Sequence, residues 1–257
     1  MKHVLLVAVG LLGLAAASAS AADLGTPAPP PYKAPPPPVP VYSWSGCYLA
    51  GGGGYGMWNQ DVFTVDSSGV VDTATTTAGG RGWFGTGQVG CDFQFAGDFV
   101  IGVFGDGDFA NIHGKATVWE TMFYGDEKET SSWSVGGRAG YLVFPQLLGF
   151  VSAGFTEAHF NAFELFLPMG TSTGQHIPSH NYNGWFLGTG YEYALKWLPG
   201  FFWKTEYRYS EYQSATLPVL DDATNSNLAG ESINTKKFQQ VIRSELVWRF
   251  NWGAPAY

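Results

Sequence analysis

The segment VIRSELVWRFNW, residues 241–252, alternates between two kinds of side chain. Every second residue belongs to a mainly apolar and aromatic set: Ile242, Ser244, Leu246, Trp248, Phe250 and Trp252. The residues between them include Arg243, Glu245 and Arg249. Because successive side chains of a β-strand point to opposite faces, the two sets lie on opposite faces of one strand. In a soluble sheet the apolar face would be the core, whereas in a membrane barrel it would face lipid and the charges would face the lumen.

Residues 1–21 have the features of a secretory signal peptide. Lys2 precedes an apolar run from Val4 to about Ala17, and small residues follow at 19–21 as a cleavage site. The run is too short for a membrane-spanning helix, and no later stretch is long enough for one. We therefore expect the mature protein to lie outside the cytoplasm, either as a soluble fold or as a closed β-barrel.

The composition favours the second of these possibilities. Charged residues make up 13% of the chain, aromatic residues make up 16%, and 35 of the 257 residues are glycine. A water-exposed surface with so few charges would be poorly soluble. The formal net charge of −8 and the lack of clustered Lys and Arg argue against nucleic acid as a partner.

Residues 22–44 form a proline-rich leader that contains TPAPPPYKAPPPPVPVY at 26–42. Such a composition is extended polyproline II or disordered. The simpler interpretation is a periplasmic tether without specific function. The alternative is a spacer through the cell-wall layer or a docking peptide for a periplasmic protein. The remaining residues, 45–257, are expected to form one domain.

The mature chain contains eight strand candidates, at 46–58, 80–95, 98–111, 131–144, 148–159, 183–197, 201–213 and 236–252. Three gaps are tight, at 96–98, 145–147 and 198–200, and the other four are long and polar. An even strand number with short turns at one end is typical of bacterial outer-membrane barrels, whose two chain ends lie in the periplasm. The sequence thus predicts an all-β, eight-stranded antiparallel up-and-down transmembrane β-barrel in the outer membrane.

Alternation within the strands divides their side chains between lipid and lumen. The lipid-facing set of the last strand is Ile242, Leu246, Trp248, Phe250 and Trp252. An eight-stranded barrel has an interior just wide enough for side chains to fill, so the lumen charges should pair with one another. The predicted lumen network comprises Asp106, Asp108, Arg138, Glu192, Lys204, Glu206, Arg208, Arg243, Glu245 and Arg249, with Gln88 and Asp92 on the same faces.

Several stretches resemble the small alphaproteobacterial outer-membrane β-barrel proteins, which are described as porin-family or opacity-like surface proteins. The resemblance is carried by YSWSGCYLAGGGGYG at 42–56, GQVGCDFQFAGDFVIGVFGDGDF at 87–109, GGRAGY at 136–141, NGWFLGTGYEYAL at 183–195 and KTEYRYSEY at 204–212. It covers the whole mature chain in order, and the pair GYEYAL and KTEYRY is its most specific part. The resemblance implies an eight-stranded barrel with a structural or surface-antigen role and no enzymatic activity.

This sequence departs from the family in three places. Phe104 stands where the family often has a lumen glutamate, which predicts a drier lumen with altered charge pairing. Cys47 and Cys91 stand where the family usually has aromatic residues. The residues GAPAY after the last strand are also a longer ending than is usual.

The two cysteines can be placed relative to each other. If the first hairpin pairs Trp58 with Gly80, then Cys47 lies directly opposite Cys91 near the periplasmic edge. The compartment is oxidising, so a disulfide is chemically permitted. The alternative is two independent lipid-facing thiols, because a cross-strand disulfide needs a suitable Cα separation.

Other motifs are only weak indications of a ligand-binding or catalytic site. GTGQVG at 85–90 matches a dinucleotide-binding pattern, but it lies inside a predicted strand rather than at a strand–helix turn. His113, His159, His176 and His180 are expected in or beside the extracellular loops, where aromatic neighbours (Phe160, Phe163, Phe166 and Tyr182) could assist haem ligation. No Ser, His and Asp set lies at one depth, and no metal-ligand spacing is visible.

The sequence therefore predicts a structural and surface protein that supports outer-membrane integrity and displays extracellular loops, without catalysis, cofactor or metal. Its expected partners are outer-membrane lipid and lipopolysaccharide, the outer-membrane assembly machinery that recognises the aromatic last strand, and the cell wall through the leader. Two alternatives stay open: a narrow porin-like passive channel, and a loop-mediated adhesin or haem-binding surface protein.

Overall fold

A computed structural model describes residues 43–119, 122–227 and 230–250. The predicted signal peptide at 1–21, the leader up to residue 42, and Trp252 lie outside the described residues. The described residues form one antiparallel sheet of twelve strands. No helix among them is long and apolar enough to cross a membrane. The strands are β1 (Gly46–Val65), β2 (Thr76–Phe95), β3 (Phe99–Val118), β4 (Phe123–Phe144), β5 (Leu147–Phe160), β6 (Phe163–Phe166), β7 (Ser172–Ile177), β8 (His180–Ala194), β9 (Phe201–Tyr212), β10 (Ala215–Pro218), β11 (Leu220–Asp221) and β12 (Ser232–Phe250).

Eight of these strands are long and form a closed ring of pairings. The ring runs β1–β2–β3–β4–β5–β8–β9–β12, and β12 pairs back onto β1 from Cys47↔Phe250 to Val65↔Ser232. The other four strands, β6, β7, β10 and β11, are short and lie in segments that the sequence predicts as loops. The expectation of eight strands therefore omits four short strands outside the ring.

The predicted strands end too early at one end of the ring. At the end with the tight connections, called here the turn end, the predicted and observed limits agree closely. At the opposite end, called the loop end, β2 begins at Thr76, β4 at Phe123 and β12 at Ser232, several residues before the predicted starts. Only four residues, 119–122, consequently separate β3 from β4, where the sequence predicts a long loop.

The outer face of the ring carries an apolar and aromatic belt, which begins at the turn end. Its members include Leu49, Trp83, Val89, Ile101, Val103, Phe109, Trp133, Val135, Tyr141, Val151, Leu187, Tyr191, Trp203, Ile242, Leu246 and Trp248, all of them exposed. Phe250 is partly exposed on the same face. Rings and aliphatic chains on an outer surface of this extent suit a lipid environment.

Above the belt, towards the loop end, the same strands reverse their pattern. On β3 the outward residues after Phe109 are polar, namely Asn111, His113, Lys115 and Thr117. The inward residues there are apolar, and Ile112, Ala116 and Val118 are each 1% exposed. An apolar interior with a polar exterior is the arrangement of a soluble sheet. We call this section, from residue 111 on β3 and residue 132 on β4 to the loop end, the upper ring.

Two connections at the loop end are ordered by aspartate side chains. Asp66 accepts hydrogen bonds from the Ser68 hydroxyl at 2.7 Å and from the backbone N–H groups of Ser68 and Val70. Asp221 accepts from the Thr224 hydroxyl and backbone N–H, each at 2.9 Å. The Ser68 and Thr224 hydroxyls, with the backbone N–H groups, hold the pKa of each carboxyl below its usual value. These connections are thus built as defined turns.

The position of the belt predicts that a charged side chain on the outer face lowers the stability of the protein more within the belt than above it. Leu187 lies in the belt on β8, and Asn183 lies on the same face of the same strand above it. We expect Leu187→Arg to lower the free energy of unfolding in lipid vesicles by about 2–4 kcal/mol, and Asn183→Arg by about 1 kcal/mol or less. Urea titration followed by tryptophan fluorescence measures both. Equal effects of the two substitutions would contradict the placement of the belt.

Candidate functional site

The ring interior contains a group of four charged side chains near the turn end, called the lower ion-pair group. Its members are Asp92, Arg138, Glu192 and Arg249, all at most 7% exposed. Arg138 donates from Nε to Asp92 at 2.9 Å and from Nη1 to Glu192 at 3.0 Å. Arg249 donates to the same two carboxylates, at 2.6 Å to Asp92 and 2.7 Å to Glu192. Each arginine therefore bridges both carboxylates, and the formal charges of the group cancel.

Aromatic rings enclose this group. The Arg138 guanidinium lies 4.8 Å from the centre of the Tyr48 ring, and that of Arg249 lies 5.1 Å from the same ring. Trp44 and Phe202 face Arg249 at 5.1 and 5.0 Å. Guanidinium groups gain from stacking on aromatic faces, particularly where water is excluded. The rings thus compensate part of the cost of burying the two arginines.

A larger upper ion-pair group lies further along the interior, and its members come from β3, β9 and β12. Arg208 pairs with Asp106 and Glu206, both at 3.1 Å. Arg243 pairs with Asp106 at 3.2 Å and with Asp108 at 3.0 Å. The remaining members are Lys204 and Glu245, whose charged atoms are 2.6 Å apart.

Neutral side chains connect the two ion-pair groups. Gln88 donates to Asp106 at 3.4 Å and accepts from the Tyr48 hydroxyl at 3.3 Å. Ser152 donates to Glu206 at 2.5 Å. All ten predicted lumen residues are therefore inside the ring, at most 8% exposed. The structure brings them together as two linked groups rather than as a lining around an open passage.

A third charged cluster, in the upper ring, was not predicted. Lys237 pairs with Glu127 at 2.7 Å and lies between the rings of Phe160, Trp58 and Tyr182, with Nζ 4.3–4.9 Å from their centres. Lys237 and Arg243 are separated by an even number of residues on β12, so their side chains lie on the same face. Alternation alone therefore predicts that Lys237 lies inside the ring. Glu127 could not be placed in this way, because the strand pairing shifts between Glu129 and Ser131. Such a β-bulge changes which residues face inward.

Apolar side chains fill the rest of the interior, around the lower ion-pair group and above the upper one. The lower apolar cluster includes Trp44, Tyr48, Leu148, Phe186 and Phe202. The main members of the upper apolar cluster are Trp58, Val62, Ile112, Phe160, Phe163, Leu165, Ile177, Tyr182, Leu217, Ile233 and Val241. Phe104 belongs to the lower cluster, 6.1 Å from the ring of Phe186, so it supplies an apolar wall where the resemblance implies a glutamate.

The end of the leader is held against the lower apolar cluster. Trp44 is 0% exposed, and its indole N–H donates to the carbonyl oxygen of Pro145 at 3.2 Å. Its ring lies 4.9 Å from that of Phe202. Arg249 donates to the Trp44 carbonyl oxygen at 3.2 Å. The chain therefore enters the ring by way of a buried tryptophan beside the turn between β4 and β5.

Cys47 and Cys91 lie directly opposite each other and form a disulfide, with a Cα–Cα distance of 3.9 Å. The same hairpin pairs Trp58 with Gly80, which is the register used to place the cysteines from the sequence. Their neighbours across the adjoining strands are Phe250 and Val103. The disulfide thus joins β1 to β2 on the outer face, near the turn end.

The histidines do not form a common site, and they lie on strands rather than in loops. His159 Nδ1 is 2.5 Å from Asn181 Oδ1, and His176 Nδ1 is 2.7 Å from Asp222 Oδ1. Phe160, Phe163 and Tyr182 are buried in the upper apolar cluster, so their faces are not free to hold a haem. Among the described residues no group of three or more His, Cys, Asp or Glu side chains could hold a metal ion. GTGQVG at 85–90 lies within β2, without the turn and helix that dinucleotide binding requires.

The lower ion-pair group predicts a strong effect of removing one arginine. Arg138→Met leaves two buried carboxylates to share Arg249, and we expect the free energy of unfolding to fall by about 3–5 kcal/mol. The exposed Lys196 provides the control, since Lys196→Met should change it by about 0.5 kcal/mol or less. Denaturant titration in vesicles measures both variants. Similar values for the two would show that the buried pairs do not contribute.

The disulfide predicts protection of both thiols in the mature protein. Without reductant, alkylation should label neither cysteine, and with reductant it should label both. The bridge closes a loop with a sequence separation of 44 residues. Cys47→Ser/Cys91→Ser should therefore lower the free energy of unfolding by about 2–4 kcal/mol. Two labelled cysteines in unreduced protein would contradict the bridge.

The chain is similar to one protein family and, more distantly, to several solved structures. The model of the outer membrane protein beta-barrel domain matches residues 8–242. Among solved structures, Ail, the attachment invasion locus protein of Yersinia pestis, is 15% identical, with 79% of this chain and 99% of that chain covered and a TM-score of 0.33. OprG from Pseudomonas aeruginosa is 9% identical, with 80% and 97% covered and a TM-score of 0.49.

The outer membrane protease OmpT from Escherichia coli is 10% identical, with 80% of this chain and 96% of that chain covered and a TM-score of 0.38. No curated protein matches the sequence. The family match extends over most of the chain, from before the ring to within β12. The protein therefore belongs to the outer membrane protein beta-barrel family and is a protein of the outer membrane.

Proposed function

We propose that the eight long strands form an up-and-down transmembrane barrel with a closed lumen, which acts as a structural and surface protein of the outer membrane. The observation that carries this proposal is the filled interior. The lower apolar cluster surrounds the lower ion-pair group and reaches Arg208 of the upper one, and the upper apolar cluster fills the ring beyond them. A protein of this kind adds a rigid body to the membrane and displays its loops, without a catalytic step.

The belt and the two kinds of connection support an orientation for the barrel. Short turns of outer-membrane barrels lie in the periplasm and long connections lie outside the cell. The turn end would then be periplasmic, and the upper ring would stand outside the cell. Trp44 would hold the end of the leader at the periplasmic mouth, from which the leader could extend to the cell wall. The outward aromatic residues of β12 would be the part that the assembly machinery recognises.

Bilayer conductance separates this proposal from a porin-like channel. Purified protein inserted into a planar bilayer in molar KCl should give no stable conductance steps. Phe104→Ala/Phe186→Ala removes two rings that fill the interior beside Arg208, and it should raise the frequency of brief openings. A heat-modifiability gel checks that both proteins are folded. Stable conductance steps in the unsubstituted protein would favour a channel.

Surface adhesion is a second candidate, and one feature of the β6–β7 hairpin favours it. Met169, at the tip of this hairpin, is 95% exposed, and Leu167 beside it is 39% exposed. Exposed apolar side chains on a loop tip suit contact with another surface. Phe163, Leu165 and Ile177 in the same hairpin belong to the upper apolar cluster, so deletion of residues 161–181 would also disturb the core.

Substitution at the tip gives a cleaner test of adhesion. Leu167→Ser/Met169→Ser changes the exposed residues and leaves the buried ones in place. If the tip mediates adhesion, cells that carry this variant should bind surfaces or host cells several-fold less than cells with the unsubstituted protein. Equal binding, with equal amounts of protein at the surface, would remove this candidate.

A further inference from the structure

Strands β2, β3 and β4 carry a row of basic side chains on the outer face, just above the belt. The strand register places Arg81 opposite His113 and His113 opposite Lys128. We call these three residues the basic row. Among the ion pairs of the described residues none involves the basic row, whereas Lys236 on β12 is paired with Glu211 at 2.6 Å. The basic row therefore has unused capacity to donate hydrogen bonds to an anion.

The three facing positions of the basic row carry no acidic residue, so the row is a local concentration of basic side chains. Asp126 lies opposite Lys115, which is on the same outer face as the basic row and one position above His113 on that face. Asp61 on β1 accepts from the Thr77 hydroxyl at 2.8 Å and lies opposite Lys236, which is itself paired with Glu211. Because the whole chain has a formal net charge of −8, a cluster of basic residues is not expected from its overall composition. A clustered charge of one sign on a surface attracts ligands of the opposite sign.

The depth of the basic row matches that of lipid phosphates. Trp83, Phe109 and Trp133 form the top of the belt two, four and five residues below Arg81, His113 and Lys128, and they are 71%, 83% and 43% exposed. Aromatic rings at such positions mark the boundary between acyl chains and head groups. Arg81 is two residues above Trp83 on β2, about 6–7 Å along the strand. Its guanidinium is thus at head-group level.

A groove beside the basic row provides space for a head group. It runs over β1, β2 and β3, is about 530 Å³ in volume, and includes Arg81 and His113 in its lining. Gly79 also lines the groove, and a Cβ there would come within 2.7 Å of the Trp58 carbonyl oxygen. The groove therefore depends on glycine. Its volume lies within the usual range of sites for small ligands.

The wall below the basic row is smooth enough for an acyl chain. Gly85, Gly87 and Gly107 are outward-facing residues of the belt, next to Trp83 and Phe109. A Cβ at Gly87 or Gly107 would meet nothing within 4 Å, so packing within the protein does not require glycine there. The absence of side chains leaves a flat lane that leads down from the basic row. An anionic head group with acyl chains below it fits this combination.

We propose that the basic row binds the phosphate groups of a phosphorylated glycolipid of the outer leaflet, with the groove holding part of its head group and the glycine lane an acyl chain. This inference rests on the proposed orientation, which places the upper ring outside the cell. Arg81 and Lys128 donate to the phosphate oxygens from the two outer strands of the row, about 10 Å apart, and His113 lies between them. Charge-assisted hydrogen bonds of this kind are stronger than neutral ones.

Native mass spectrometry of the folded mature protein in zwitterionic detergent tests the proposal. Diphosphorylated lipid A is the probe, and dephosphorylated lipid A is the matched ligand without phosphate. We expect the phosphorylated form to bind at least about tenfold more tightly. Arg81→Gln/Lys128→Gln should remove this difference, because each basic residue near a membrane surface contributes about fivefold to binding of anionic lipid. The control Lys196→Gln/Lys236→Gln removes the same charge elsewhere and should keep the difference.

Three results would overturn the proposal: equal binding of the two lipid forms, equal loss in the control variant, or displacement of the lipid by inorganic phosphate at comparable concentration. The last result would indicate a soluble anion as the natural ligand. A heat-modifiability gel in each sample shows that the barrel is folded. A protein that is heat-modifiable and non-conducting but insensitive to lipid phosphate would refute this inference alone, whereas a protein that is not heat-modifiable would refute the proposed barrel.

Discussion

Closure of the sheet between β1 and β12 is the constraint on which the other features depend. An open sheet edge in hydrocarbon would leave backbone N–H and C=O groups without partners, at a cost of several kcal/mol each. Pairing from Cys47↔Phe250 to Val65↔Ser232 removes that edge. Once the ring is closed, its side chains have two environments, lipid outside and a narrow interior inside. The narrow interior then requires the arginines and carboxylates to pair, because water cannot solvate them there.

The part of the fold in the belt follows readily from the sequence, and the upper ring does not. In the belt, alternation of apolar and polar residues identifies the strands, and their tight connections mark the turn end. Beyond Phe109 and Trp133 the strands leave the apolar belt, and the alternation reverses phase. Ile112 and Val118 become inward residues, and the polar residues between them become outward ones. Because a lipid-facing strand is recognised by outward apolar residues, the outward polar residues of the upper ring resemble a loop in the sequence.

The side chains of the interior are likewise predictable from the sequence in the lower part of the ring and not in the upper ring. Alternation along each strand is sufficient to place Arg138, Glu192 and Arg243 inside, because the pairing is regular around each of them, on β4 from Ser131 to Leu142. Alternation gives the wrong face for Glu127, because the bulge near Ser131 changes which residues of β4 point inward. The sequence also does not predict which charged residues pair, because pairs such as Arg138 with Glu192 join strands that are not neighbours. The positions of Cys47 and Cys91 are easier to predict, because the register of a single hairpin determines both.

The reversed pattern of the upper ring has a consequence for where the loops stand. On β4 the strand continues from Ser132 to Phe123 above the last ring of the belt. At about 3.3 Å per residue and a tilt of about 40°, that stretch rises about 25 Å above the acyl chains. The upper ring has its own packed interior, in which apolar side chains surround the Lys237–Glu127 pair. In the orientation proposed above, it would carry the β6–β7 hairpin outward as the top of a rigid column rather than as a loop lying on the membrane.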